Sequence, residues 1–207
     1  MKKLILLMAV LTVIINNSKA QSNGILFGLK AGANYSNQYD SKNENFTSDS
    51  KLGFAGGAYL NFPLGSSIGF QPEILISQKG FKASGKLLGS SYNLTRTTSY
   101  IDVPLMLSIK PVQFLTIVLG PQYSYLLKQK DVFTNNTFTT AQNQEFNNDN
   151  IRKNILGITG GVDLNIKNAT VGLRIGREFQ NNNGDGTSST PRYKNAWVQA
   201  TLGLRVF

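Results

Sequence analysis

Apolar and polar residues alternate with a period of two along most of the chain beyond residue 21. In residues 25–35, for example, Ile25, Phe27 and Leu29 alternate with Gly28 and Lys30. This alternation is typical of a β-strand with one apolar and one polar face, because successive side chains of a strand point to opposite sides. The pattern predicts eight strands, at residues 25–35, 51–62, 68–80, 100–110, 114–127, 154–166, 169–180 and 195–206.

The connections between the predicted strands alternate between short and long. Short turns are expected at residues 63–67, 110–113 and 167–168, where Pro, Gly or Asn interrupts the alternation. Long tracts rich in Asn, Ser, Thr and Gln separate the other strands, at about residues 36–50, 81–98, 128–152 and 181–194. An up-and-down arrangement places all the short turns at one end and the long loops at the other, as in outer-membrane barrels.

The alternation alone does not say which face points outward. In a membrane barrel the apolar face contacts lipid, whereas in a soluble lipocalin-like barrel it surrounds a small apolar ligand. One face is almost entirely aliphatic and aromatic, and only 15% of the residues are charged, which is sparse for a surface in water. We therefore predict an all-β fold, an eight-stranded antiparallel up-and-down transmembrane β-barrel in the outer membrane, with the soluble barrel as the alternative.

The N-terminus has the features of a secretory signal peptide. Two lysines precede an apolar stretch over residues 4–15, and a small-x-small pair, Ser18 and Ala20, follows it. The stretch is shorter than the roughly 20 residues that a transmembrane helix needs. We expect residues 1–20 to be cleaved on export, which leaves residues 21–207 as a single outer-membrane barrel domain.

The composition excludes most catalytic chemistry. The chain has no Cys and no His, which rules out Cys/His zinc sites, Ser-His-Asp triads, Cys nucleophiles and disulfides. We therefore expect a protein that is not an enzyme and that holds no cofactor and no metal. A His-free enzyme that acts on lipid through a pair of carboxylates is the remaining catalytic alternative.

Two short motifs resemble ligand-binding loops, but each lacks an essential residue. Residues 80–86 have the spacing of a phosphate-binding loop, yet Leu87 stands where a Ser or Thr must reach magnesium. Residues 181–186 resemble the start of a calcium loop, yet Arg192 stands where the bidentate Glu is needed. We interpret the first motif as a loop at a strand end and the second as a turn.

The net charge of +10 would suit a nucleic-acid partner if the cations were clustered. They are instead scattered singly along the chain, and export separates the protein from nucleic acid. We therefore expect no nucleic-acid partner. We expect the positive charge instead to attract anionic lipid of the outer membrane, including lipopolysaccharide.

Nine charged residues on the polar faces are predicted to fill the barrel interior. An eight-stranded barrel has room for little more than its own side chains, and an unpaired charge in that interior is costly. We expect a structural network in which carboxylates pair with cations: Glu73, Asp102, Asp163 and Glu178 with Lys30, Lys79, Lys110, Arg174 and Arg205. The same filling argues against a water-filled pore.

Several segments are similar to one known family. QPEILISQKG (71–80), YIDVPLML (100–107), FGLKAGANYSN (27–37) and FLTIVLGPQYSYLL (114–127) resemble the PorT-like outer-membrane β-barrel family of Bacteroidota. The resemblance covers essentially the whole mature chain and implies an eight-stranded barrel, in most members without an assigned activity. Since PorT itself takes part in protein secretion, it also implies a structural or partner-binding role through the extracellular loops, with envelope or secretion-system proteins as partners. The oligomeric state is left open.

Overall fold

Nine antiparallel β-strands make up the part of the chain that the computed structural model describes, which is residues 24–39, 47–87, 90–135, 139–144, 151–183 and 193–206. The predicted signal peptide, residues 1–20, lies outside these ranges. So does Arg192, the residue that stands at the Glu position of the calcium-loop-like motif. The strands are β1 (Leu26–Tyr39), β2 (Thr47–Pro63), β3 (Ile68–Leu87), β4 (Ser90–Val112), β5 (Leu115–Asn135), β6 (Thr139–Gln144), β7 (Asn154–Ile166), β8 (Ala169–Glu178) and β9 (Lys194–Arg205).

Eight of these strands close into a barrel. Their order around the ring is β1, β2, β3, β4, β5, β7, β8 and β9, and β9 pairs with β1 to complete it. Closure gives the backbone amides and carbonyls of each strand a partner on both sides, which a strand in hydrocarbon requires. The predicted eight-stranded antiparallel barrel is confirmed, and β6 is an additional strand that pairs with the end of β5.

The apolar face of each barrel strand points outward. Leu105 is 44% and Leu202 69% exposed, whereas Glu73 is 4% and Arg174 3% exposed. An apolar surface this extensive is far larger than soluble monomers expose, and it matches the lipid-facing band of membrane barrels. The soluble alternative needs the apolar face inside and is not favoured. We call this outer surface the apolar belt; it includes Leu29, Tyr35, Phe54, Ile74, Ile76, Leu105, Leu107, Ile117, Leu119, Tyr123, Val162, Leu164, Leu173, Ile175, Val198 and Leu202.

Short turns lie at one end of the barrel, as predicted. Residues 64–67 join β2 to β3, residues 113–114 join β4 to β5, and residues 167–168 join β7 to β8. Lys167 has a φ of 52°, the left-handed conformation that two-residue hairpins use. Among the described residues, no helix is long and apolar enough to cross a membrane.

The opposite end differs from the prediction, because two of the tracts expected to be long loops are largely strand. Residues 81–98 belong to β3 and β4 apart from residues 88–89, and residues 128–135 continue β5. We call residues 81–87, 90–98 and 128–135 together with β6 the extension sheet. The loop prediction was wrong here because the outer positions of these segments, such as Lys82, Ser84, Lys128 and Lys130, are polar, so the apolar outer face that marks a strand in the belt is lost.

Candidate functional site

The polar phase of each strand points into the barrel and places charged side chains in three layers along its axis. The lower layer, nearest the short turns, contains Lys30, Glu73, Asp163 and Arg174. The middle layer contains Lys79, Asp102 and Glu178 with the rings of Tyr100 and Trp197. The upper layer, within the extension sheet, contains Arg96 and Asp131 with the rings of Phe81 and Tyr193.

The lower layer alternates two cations with two carboxylates. Lys30 forms an ion pair with Glu73 across the interior. Arg174 Nη2 donates to Asp163 Oδ2 at 2.7 Å and lies 3.8 Å from Glu73 Oε1. A cavity of about 10 Å³ lies beside this layer, which is room for about one water molecule.

The middle layer is built around Lys79, whose side chain is fully buried. Its Nζ lies 3.1 Å from Asp102 Oδ2 and 3.9 Å from Glu178 Oε1. The same ammonium lies 4.0 Å from the ring centroid of Trp197 and 4.8 Å from that of Tyr100. One cation therefore faces two carboxylates and two aromatic faces, an arrangement in which ion pairs and cation–π contacts act together.

The second carboxylate of the middle layer has additional donors. Glu178 Oε2 accepts hydrogen bonds from the backbone amide of Asn195 at 2.9 Å and from its Nδ2 at 2.8 Å. The Tyr39 hydroxyl donates to the backbone carbonyl of Glu178. Strands β1, β8 and β9 are thereby tied together near the end of the belt.

The upper layer was missed by the sequence reasoning. Arg96 donates two parallel hydrogen bonds to Asp131, both 2.8 Å long, from Nε to Oδ1 and from Nη2 to Oδ2. Its guanidinium lies 5.8 Å from the Phe81 ring and 5.7 Å from the Tyr193 ring. Burial raises the pKa of the Tyr193 hydroxyl, so that group stays neutral. Residues 95–98 are all polar, so no alternation of apolar and polar residues marks this part of the strand in the sequence.

The structure brings together the four predicted carboxylates and three of the five predicted cations. Lys110 and Arg205 lie at the short-turn ends of β4 and β9 and form no salt bridge with any described carboxylate. Lys110 instead donates to Asn61 Oδ1 at 3.5 Å. Both residues lie on the inward-facing positions of their strands, as predicted. They lie at the strand ends, however, where side chains at the rim meet water and need no buried partner.

The carboxylates of the described interior are engaged in structural contacts. Glu73, Asp102, Asp163 and Glu178 are each at least 90% buried and engaged by the contacts above. Among the described residues, no group of three or more Asp and Glu side chains is placed to hold a metal ion. Residues 80–86, which resemble a phosphate-binding loop, lie within β3 and precede β4, so no helix follows them.

Three comparisons relate this chain to known proteins. A family model described as outer membrane protein beta-barrel domain matches residues 19–184. A search of curated proteins finds no match. Among solved structures, the chain is similar to Ail of Yersinia pestis (10% identity, 87% of this chain and 97% of that chain, TM-score 0.46). It is also similar to Neisserial surface protein A (12%, 86% and 96%, 0.40) and to OprG of Pseudomonas aeruginosa (11%, 87% and 93%, 0.35).

Proposed function

Because this chain belongs to the outer membrane protein beta-barrel domain family, we propose that it is a non-enzymatic barrel that binds a partner protein through its extracellular side. The protein lies in the outer membrane, where the apolar belt anchors it. The short turns face the periplasm and the extension sheet faces outward, as in other barrels of this kind. The proposed partner is an envelope or secretion-system protein, because residues 71–80 and 100–107 resemble the PorT-like family of Bacteroidota.

The extension sheet is the observation that carries this proposal. Residues 81–87 of β3 pair with residues 90–96 of β4, and residues 92–99 of β4 pair with residues 128–135 of β5. The Arg96–Asp131 pair and the edge-to-face contact of Phe81 with Tyr193, at 5.0 Å between ring centroids, hold the sheet on its inner side. A surface that is already ordered loses little entropy when it binds, so such a sheet is well suited to recognition.

The interior supports a structural role in place of a catalytic one. The lower and middle layers join strands that are not neighbours in the ring: Lys30 on β1 contacts Glu73 on β3, and Lys79 on β3 contacts Glu178 on β8. Ion pairs between distant strands resist deformation of the barrel. A lipid-processing enzyme would need a carboxylate on the lipid side, whereas Glu73 and Asp163 are buried on the inside. Turnover of lipid A that Glu73→Gln abolishes without loss of folding would contradict the proposal.

Site-specific photo-crosslinking in intact cells tests the partner-binding role. A photoreactive amino acid is placed at Thr140 in β6 or at Lys130 in β5, both exposed in the extension sheet. The matched control position is Ser66, exposed in the turn between β2 and β3. We expect a discrete product with an envelope protein from the two extracellular positions and not from Ser66. The absence of such a product, or the same product from all three positions, would contradict the proposal. A secretion-system component in the product would support the PorT-like role specifically.

A further inference from the structure

Two buried polar atoms of the lower layer, Arg174 Nε and Tyr59 Oη, have no hydrogen-bond partner among the described residues. Both side chains are more than nine-tenths buried, so neither atom is hydrated from outside the barrel. A buried polar atom without a partner is rare in native structures and lowers their stability. Two such atoms in one layer therefore point to a ligand that they share.

Both residues line the cavity of about 10 Å³ beside this layer. Tyr59 reaches the cavity from β2 because its ring lies across Gly28 on β1, where a Cβ would be 2.5 Å from the Tyr59 hydroxyl oxygen. Only a residue without a side chain allows this close approach. The hydroxyl is thereby carried towards β9, whose Thr201 and Gly203 also line the cavity.

The other two nitrogens of the Arg174 guanidinium already have acceptors. Nη1 donates to the backbone carbonyl of Val162 at 3.0 Å, and Nη2 donates to Asp163 Oδ2 at 2.7 Å. These contacts fix the plane of the group and leave Nε without an acceptor in the described part of the chain. A ligand of the cavity must therefore be able to accept a hydrogen bond.

Two side-chain oxygens give the same ligand something to donate to. Asp163 and Thr201 both line the cavity. A Cβ at Gly172 would lie 2.7 Å from Asp163 Oδ1 and also 2.7 Å from Thr201 Oγ1, so these two oxygens lie close together. A small molecule in the cavity can donate to them while it accepts from Arg174 Nε.

The charges of the lower layer balance, and this decides the class of ligand. Its two cations, on β1 and β8, face two carboxylates, on β3 and β7. An anion or a metal ion would add an uncompensated charge to a buried site, which is costly. The ligand must be neutral, and the cavity has room for about one water molecule.

We propose that the lower layer binds one structural water molecule. The water accepts hydrogen bonds from Arg174 Nε and Tyr59 Oη and donates to Asp163 and Thr201, which agrees with the roughly three bonds that buried waters typically make. It links β2, β7, β8 and β9 and holds the guanidinium in place between Asp163 and Glu73. This inference does not depend on the proposed partner protein.

A crystal structure of the folded full-length barrel, at a resolution that shows ordered waters, tests the site. We expect one density peak within hydrogen-bond distance of both Arg174 Nε and Tyr59 Oη. A direct hydrogen bond between these two atoms, or no density in the cavity, would overturn the proposal. Crystals soaked in sodium bromide separate a water from an anion. An anomalous bromide signal at the peak would show an anion site and overturn the neutral ligand.

The variant Gly203→Ala gives opposite results for a hydrated and a dry cavity. It adds a methyl group to the cavity wall, and the atom nearest to the new Cβ would be the Leu29 carbonyl oxygen at 3.3 Å. Displacement of the water leaves two buried polar atoms unpartnered, so the folding equilibrium constant from urea titration should fall about 10-fold or more. In a dry cavity the methyl group adds contacts and Ala replaces Gly in a strand, which stabilises. An unchanged or higher constant would overturn the proposal.

Tyr59→Phe distinguishes loss of the water from steric crowding by the new methyl group. In the Tyr59→Phe background only Arg174 Nε loses its partner, so Gly203→Ala should lower the constant by a smaller factor than in the parent protein. The same factor in both backgrounds would show crowding and overturn the interpretation. The matched control Gly65→Ala, where a Cβ meets no atom within 4 Å, should change the constant little. Crosslinking at Thr140 is independent of these results.

Discussion

Replacement of Lys79 by Met should destabilise the barrel more than any other single loss of a lysine in the described part of the chain. Met is nearly isosteric with the lysine stem, so the change removes the charge while largely keeping the packing. It leaves the carboxylates of Asp102 and Glu178 buried without the ammonium, whose Nζ lies 3.1 and 3.9 Å from their oxygens. It also removes the contacts with the rings of Trp197 and Tyr100.

The magnitude follows from the cost of a buried charge left without its partner. Removal of one member of a buried ion pair typically costs about 3–5 kcal/mol. Glu178 retains the two hydrogen bonds from Asn195, so most of the cost falls on Asp102. The second substitution Asp102→Asn should therefore restore about half or more of the loss, because neutral replacement of both partners is often tolerated.

The free energy of unfolding can be measured by reversible urea titration of the barrel folded in lipid vesicles. Trp197 is the only tryptophan of the chain and lies 4.0 Å from Lys79 Nζ, so its fluorescence reports on this layer directly. Heat-modifiable gel mobility provides a second measure that does not depend on the indole environment. The matched control is Lys82→Met, an exposed lysine on the same strand, which should change the stability by about 0.5 kcal/mol or less.

Two results would refute the reasoning. The first is a loss for Lys79→Met no larger than that for Lys82→Met. The second is simple additivity of Lys79→Met and Asp102→Asn, since partners in one ion pair must show coupling in a double-mutant cycle. Either result would mean that the middle layer is not held together by charge.

Three further predictions concern the packing, the extension sheet and the interior. Gly176→Ala should cost about 1–3 kcal/mol in urea titrations, because a Cβ there would lie 2.3 Å from the Trp197 ring, whereas Gly65→Ala in an open turn should have little effect. Arg96→Gln leaves the carboxylate of Asp131 without its bidentate donor. Limited proteolysis should therefore cut the extension sheet faster and leave the apolar belt resistant. Unchanged resistance of the sheet would contradict the role of the Arg96–Asp131 pair in holding it together. Since three layers of side chains fill the interior, the protein should show no steady conductance in planar lipid bilayers, and step-like openings would contradict this.

The extension sheet shows where sequence reasoning reaches its limit. In the belt, a strand meets lipid on one side and the interior on the other, so its two faces must differ and the alternation is visible. Beyond the belt the outer face meets water, and residues 81–87, 90–98 and 128–135 were predicted as polar loops although they are paired strands. Arg96 and Asp131 were missed for the same reason, because a buried pair within a polar tract has no local signature.

The sequence by itself determined the number of barrel strands, the positions of the short turns and the face on which each belt residue lies. These are local properties, since a period of two is set by the geometry of a single strand. The tertiary structure decided which charges meet. Lys30 contacts Glu73 on a strand that is not its neighbour, and Lys79 lies between carboxylates from β4 and β8. Lys110, like the paired lysines, lies on the inward-facing positions of its strand, but it lies at the rim of the barrel. Pairing depends on the stagger and closure of all eight strands, which no single segment encodes.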